Sequence, residues 1–224
     1  MTKVDKNAIE FLRQLSNNNN KEWFASHKDD YTAAKNNFEA FIQELIDEIV
    51  KFEPVFKGLE AKSCIYRINR DIRFSNDKTP YKTNFGALIM KGGRKNFFRY
   101  PGYYLHIEPD NCFLAGGAYL PSPEWLTDIR EKISEQPDMF LKIINNTEFK
   151  KYFGEIQGDK LKKAPKGFDP QHEYIEFLKF KNYTIIKKID DKQVLDPESL
   201  NNFSHIFKAM KLFHDFLDVD ESTL

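Results

Sequence analysis

Neither sign of charge is in excess in this chain: 34 Lys and Arg stand against 34 Asp and Glu. A protein that coats polyanions in bulk would be strongly basic, so a histone-like role is excluded. Glycine is scarce, 10 in 224 residues, whereas Phe reaches 21 and Tyr 10. With 41% hydrophobic residues there is ample material for a core, which excludes disorder of the whole chain. Only two cysteines occur, Cys64 and Cys112, with no Cys-x-x-Cys spacing. They are expected to be buried small hydrophobes rather than a disulfide or a metal pair. No apolar run approaches the roughly 18 residues that span a bilayer. The opening residues, Met1 to Asn7, hold no apolar stretch of the secretory kind. The expected address is the cytoplasm, away from membranes. The sequence also lacks a Gly-x-Gly-x-x-Gly or Walker loop and a Gly-x-Ser-x-Gly elbow. A nucleotide fold, a bound cofactor and a serine hydrolase are therefore not expected.

What is present divides by periodicity. Ile9, Phe11, Leu12 and Leu15 form a short amphipathic helix that the Asn17–Asn20 tract stops. From Lys21 a pattern runs at steps of three and four (Phe24, His27, Tyr31, Ala34, Phe38, Phe41, Leu45, Ile49, Phe52), which predicts one long helix or two collinear ones. Ser63–Asp71, Thr83–Met90, Gly102–Glu108 and Cys112–Tyr119 are short and rich in Ile, Tyr and Phe. They are predicted to be strands, antiparallel because the links are too short for parallel crossovers. After Pro121 helices return: 123–134 with Ser122 as N-cap, one or two over 137–153, a short one over 172–178 and a last one opened by Asp196-Pro197. Tyr183–Ile189 alternates like a late strand. The fold expected is α+β, a mainly antiparallel sheet flanked by N- and C-terminal helices. It is expected as one domain over 1–224: a helical part to 55, a basic β-rich core over 60–120, and a helical part over 121–224 with the late strand.

The neutral total hides an asymmetry. Between Lys62 and Arg99 lie ten basic residues and only two acids, Asp71 and Asp77, while the rest of the chain holds 24 basic against 32 acidic. The densest run is Tyr66 to Lys82. Its guanidinium forks and ammonium groups suit phosphate or carboxylate oxygens. Arg67, Arg70 and Arg73, spaced by three, cannot share one face of a strand, so part of the run is a loop able to fold around an anion. Arg67, Arg70, Arg73, Lys78 and Lys82 are the candidate ligand-binding residues, with Tyr104 beside them. Asp71, Asp77 and His106 are the candidate proton-transfer groups. The same run also fits an internal ion-pair network with no ligand, the two acids holding the arginines.

Alternation along 102–108 puts Tyr104, His106 and Glu108 on one face, opposite Tyr103, Leu105 and Ile107. His106 with Glu108 makes an acid/base pair but offers no third ligand, so no metal centre is expected. Gly116-Gly117 is expected to be a bend in its strand. Of the rings interleaved with the basic window, most belong to the core. Phe97-Phe98-Arg99-Tyr100 is the exception, because four bulky neighbours cannot all point inward.

The run Arg70-Asp71-Ile72-Arg73-Phe74-Ser75-Asn76-Asp77-Lys78-Thr79-Pro80-Tyr81-Lys82 resembles the signature of family 2461 among the domains of unknown function, known in bacteria and fungi. The resemblance extends to Glu22-Trp23-Phe24 with His27-Lys28 and Tyr31, to Pro101–Glu108, to Arg130 and to Pro165–Asp169. It implies one intact domain from about Phe11 to Phe216 and no particular reaction, substrate or cofactor. Two functions stay open: a site for an anionic small molecule, with or without catalysis, and a nucleic-acid or protein interaction module with Arg94, Lys95, Phe97, Phe98 and Arg99 at its edge.

Overall fold

The structure is a computed structural model, and it describes residues 2–219. Three helices open the chain: α1 (Lys6–Asn17), α2 (Lys21–Ser26) and α3 (Lys28–Val50). The Asn tract acts through capping: the Asn20 side chain accepts from the Trp23 N–H at 2.8 Å and starts α2. The stretch expected as one long helix or two divides at His27, whose backbone leaves the helical region (φ −113°, ψ 25°) and whose ring stacks on Trp23 at 4.0 Å. The break lets Phe24 and Tyr31 both reach Phe11 of α1.

Four strands follow: β1 (Phe85–Ile89), β2 (Gly102–Ile107), β3 (Cys112–Ala118) and β4 (Tyr183–Ile189), in the order β1-β2-β3-β4, every pair antiparallel. Before them, Ser63–Asp71 is not the expected strand. A short helix α4 (Ala61–Cys64) occupies its start, and only one bridge, Ile65 to Ala87, ties it to the sheet edge. Beyond Tyr66 the chain leaves the sheet and folds on itself, Asn69 bridging Tyr81 and Lys82 N–H donating to the Ile68 carbonyl.

After β3 come α5 (Pro123–Glu135), α6 (Pro137–Ile144), α7 (Thr147–Phe153) and α8 (Ile175–Leu178). Beyond β4 come α9 (Asp191–Leu195), opened by an Asp190–Gln193 capping box that was not expected, and α10 (Ser199–Leu217). Ser122 caps α5 as expected, accepting from Trp125 N–H. The fold is α+β, an antiparallel sheet flanked by N- and C-terminal helices.

The core lies on one face of the sheet. Tyr103, Leu105, Ile107, Leu114 and Ile185 are fully buried there. The rings of Phe52, Phe56 and Phe207 pack on Tyr103, and Phe41 of α3 meets Phe203 of α10. α10 comes close because Gly116 has no side chain: a Cβ there would sit 2.6 Å from both His214 Nε2 and Met210 Sδ. On its other side α10 holds α5 and α6 through Trp125 Nε1–H to the Leu217 carbonyl and through Phe140 against Phe216. Arg130 is buried and donates to the Leu178 and Phe180 carbonyls at 2.7 and 3.0 Å, tying α5 to α8. No helix among the described residues is long and apolar enough to cross a membrane.

Candidate functional site

The opposite face of the sheet is half-buried and polar-aromatic. The register that aligns Leu88, Tyr104, Ala115 and Ile186 in one row aligns Gly86, His106, Phe113 and Lys188 in the next. Because Ile65 pairs with Ala87 on the core side, its neighbour Tyr66 falls on this second face, its N–H bonded to the Gly86 carbonyl. Tyr104 lies over Gly86, where a Cβ would come within 2.6 Å of the phenol oxygen.

A three-membered chain of polar groups runs along β2. Tyr104 Oη lies 2.9 Å from His106 Nδ1, and His106 Nε2 lies 3.4 Å from Glu108 Oε2. Glu108 is further held by the Thr83 hydroxyl at 2.6 Å and the Asn111 amide at 2.7 Å. The His106 ring stacks on Phe113, 4.5 Å between centroids. Burial lowers the His106 imidazole below its ordinary range although Glu108 opposes it, so it is neutral at pH 7. Burial works against the Glu108 carboxylate, but the bonds from Thr83, Asn111 and His106 outweigh it and hold the group below its usual value. Burial keeps the Tyr104 phenol protonated. A phenol that donates to Nδ1 leaves the Nε2 proton facing Glu108. The set Tyr104–His106–Glu108 thus lines up a protonated phenol, a neutral imidazole and a fixed negative charge in one hydrogen-bonded row.

Next to it stands a group of cations. Lys82 Nζ lies 5.2 Å and Arg94 Cζ 5.3 Å from the centre of the Tyr66 ring, and Tyr66 meets Tyr104 edge to face. Burial, then the charges of Arg67 and Arg94, lowers the Lys82 ammonium. None of the three forms a salt bridge among the described residues, although the Asp71 carboxylate feels Arg67 at longer range. Arg94 Nε is buried with no hydrogen-bond partner.

The other candidates of the arginine run lie apart from this group and are engaged with one another. Arg73 grips Asp71 through two parallel bonds, Nε at 2.9 Å and Nη2 at 2.7 Å, and three quarters of its side chain is in solvent. Arg70 bonds Asp77 and the Thr79 hydroxyl. The backbone N–H of Thr79, with Arg70 and the Thr79 hydroxyl behind it, holds the Asp77 carboxyl down to about 2. Lys78 donates to the Ile72 carbonyl at 3.0 Å. Asp71 and Asp77 are carboxylates that position arginines in this loop. The structure thus brings together Lys82, Tyr104 and His106 around Tyr66, leaves Arg67 exposed on the chain just after it, and gathers Arg70, Arg73, Lys78, Asp71 and Asp77 in a self-paired tip.

Two members of the site went unassigned at the level of sequence. Tyr66 was one ring among many, and Arg94 stood at the rim of a larger surface. The available signal was the glycine pair before Arg94: Gly92 and Gly93 take φ of 72° and 79°, a turn that folds the basic loop back toward α4. Among the described residues no three His, Cys, Asp or Glu side chains are grouped as metal ligands would be.

No curated protein and no solved structure matches the chain. The family model for a conserved hypothetical protein (DUF2461) matches residues 7–216, and the chain belongs to that family.

Proposed function

We propose that the polar face of the sheet binds a small ligand bearing a phosphate or carboxylate, held by Arg67, Lys82 and Arg94. One observation carries this reading: Lys82 and Arg94 converge on the Tyr66 ring with no acid paired to them, and Arg94 has a buried, unpartnered Nε. Leaving a buried donor without a partner costs about 1–3 kcal/mol, and an anion would recover it. By contrast Arg70 and Arg73 already have carboxylates and fall outside the ligand shell. Tyr104, backed by His106 and Glu108, meets the Tyr66 ring edge to face, and we assign to it general acid or base chemistry on the ligand.

Inorganic phosphate is the probe. Calorimetric titration of the wild-type chain is expected to show binding, and thermal melts a rise in Tm with phosphate by mass action. Arg94→Ala and Lys82→Ala are each expected to weaken binding about tenfold or more, as the loss of a charge-assisted contact should. Arg73→Ala is expected to leave both affinity and the ligand-free Tm unchanged. The reading fails if wild-type protein takes up no phosphate. It fails equally if Arg73→Ala abolishes binding while Arg94→Ala does not.

A further inference from the structure

Eight large apolar side chains stand exposed among the described residues, and four of them belong to one neighbourhood: Phe97, Phe98, Tyr119 and Leu120, between 38% and 61% exposed. Chain geometry brings them together beside the cations. Arg94–Asn96 forms a single helical turn that delivers the chain into Phe97 and Phe98, whose rings meet edge to face at 6.0 Å. The Phe98 carbonyl accepts from Ser122 N–H at 2.8 Å, which seats this loop against the segment that leaves β3. That segment is turned by Leu120, in the left-handed region at φ 49° and held by its N–H to Asn182 Oδ1 at 2.9 Å. Tyr119 follows directly on Ala118, the last residue of β3.

An exposed patch of mostly aromatic side chains next to unpaired cations needs an occupant with both characters. A bare phosphate or a small carboxylic acid would fill the cations and leave the rings in water. Planar rings at the edge of an open sheet, with guanidinium and ammonium groups alongside, match a base stacked on an aromatic surface and a phosphate on the cations. We infer that the anion site is one half of a nucleoside-phosphate site. The phosphate sits at Arg67, Lys82 and Arg94, and the base on Tyr119 and Phe98. This inference rests on the anion-binding function proposed above. The nucleoside phosphate has two sources, a free nucleotide or the end of a single strand, and the test separates them.

Binding of inorganic phosphate, ribose 5-phosphate, adenosine 5′-monophosphate, adenosine and a short labelled single-stranded RNA is measured on the full chain, with Tyr119→Ala and Phe98→Ala in parallel. Both substitutions remove exposed rings, and circular dichroism checks that the fold is kept. Adenosine 5′-monophosphate is expected to bind roughly 5- to 100-fold tighter than ribose 5-phosphate, the range of one stacked base. Tyr119→Ala or Phe98→Ala is expected to erase that advantage while leaving inorganic phosphate unaffected. Tighter binding of the RNA than of the mononucleotide assigns the source to a nucleic-acid strand; equal or weaker binding assigns it to the free nucleotide. If ribose 5-phosphate and the nucleotide bind equally, the base site is wrong and the anion site stands. If no phosphate compound binds, both fall.

Discussion

His214 sits inside the core, its ring 4.3 Å from that of Tyr103 and its Nε2 against Gly116 with no hydrogen-bond partner. Burial, with the Lys211 ammonium adding to it, pushes this imidazole down to about 3. In the unfolded chain it titrates near 6.5. Below that pH the unfolded chain takes a proton that the folded one refuses. The contribution of His214 is therefore complete above about pH 6.5 and is lost as pH falls toward 3. At pH 4 the loss from this residue alone is on the order of 3 kcal/mol. His106, also lowered by burial, acts in the same direction. Urea melts between pH 7 and pH 4 are expected to show a steep decline for the wild type and a shallower one for His214→Leu. At pH 7 the variant is expected to be at least as stable, because it removes an unsatisfied buried nitrogen. Identical acid slopes in the two proteins would show that His214 ionises without cost in the fold.

At the scale of elements, the junction of β3 with its neighbours depends on two glycines that do different work. Gly117 adopts φ 109°, and a Cβ there would stand 2.1 Å from the Tyr183 carbonyl oxygen of β4. Gly116 has ordinary backbone and gives space to the ends of two α10 side chains, which can shift. Gly117→Ala is expected to cost at least about 2 kcal/mol in chemical denaturation, since both backbone strain and a backbone clash oppose it. Gly116→Ala is expected to cost less. The reverse order would mean that α10, not the strand backbone, is the rigid partner. The sequence suggests a bend at this pair, but β3 runs through both glycines in unbroken register, and what sets Gly117 apart is its positive φ against a strand more than 60 residues later. The same contrast holds for the site. Alternation within 102–108 already separates Tyr104 and His106 from Tyr103, Leu105 and Ile107, since side-chain period is a local property. The pairing of Arg70 with Asp77 and of Arg73 with Asp71 needs the turns of the loop, and Arg94 reaches Tyr66 only because of the Ile65–Ala87 bridge. Arginines look alike in a sequence. Whether each already has a carboxylate is decided by tertiary contacts.

Across the whole molecule the balance of charge bears on how large the anionic ligand can be. Ten of the basic residues fall in a window with two acids, yet the remainder holds 24 basic against 32 acidic. Within the window, two of the arginines are neutralised by its own two acids. What is left unpaired is Lys82 and Arg94 at the Tyr66 ring, with Arg67 next to Tyr66 in the chain, and beyond them an excess of carboxylates repels a long polyanion. A local site releases few counterions. For single-stranded RNA each neutralised phosphate contributes about −0.7 to the slope of log K against log salt, so three cations set a limit near −2. Titrations from low to high NaCl are expected to give a slope no steeper than about −2, and RNA longer than the site is expected to gain nothing per added nucleotide. Tm in the absence of ligand is expected to change little over the same range, because the Arg73–Asp71 pair is solvent-exposed and stabilises the fold little. A slope of about −5 or steeper, or affinity that grows steadily with RNA length, would reveal an extended cationic track. That result would move the function from a small-molecule site to a strand-binding surface, with the acidic remainder of the chain held away from the strand.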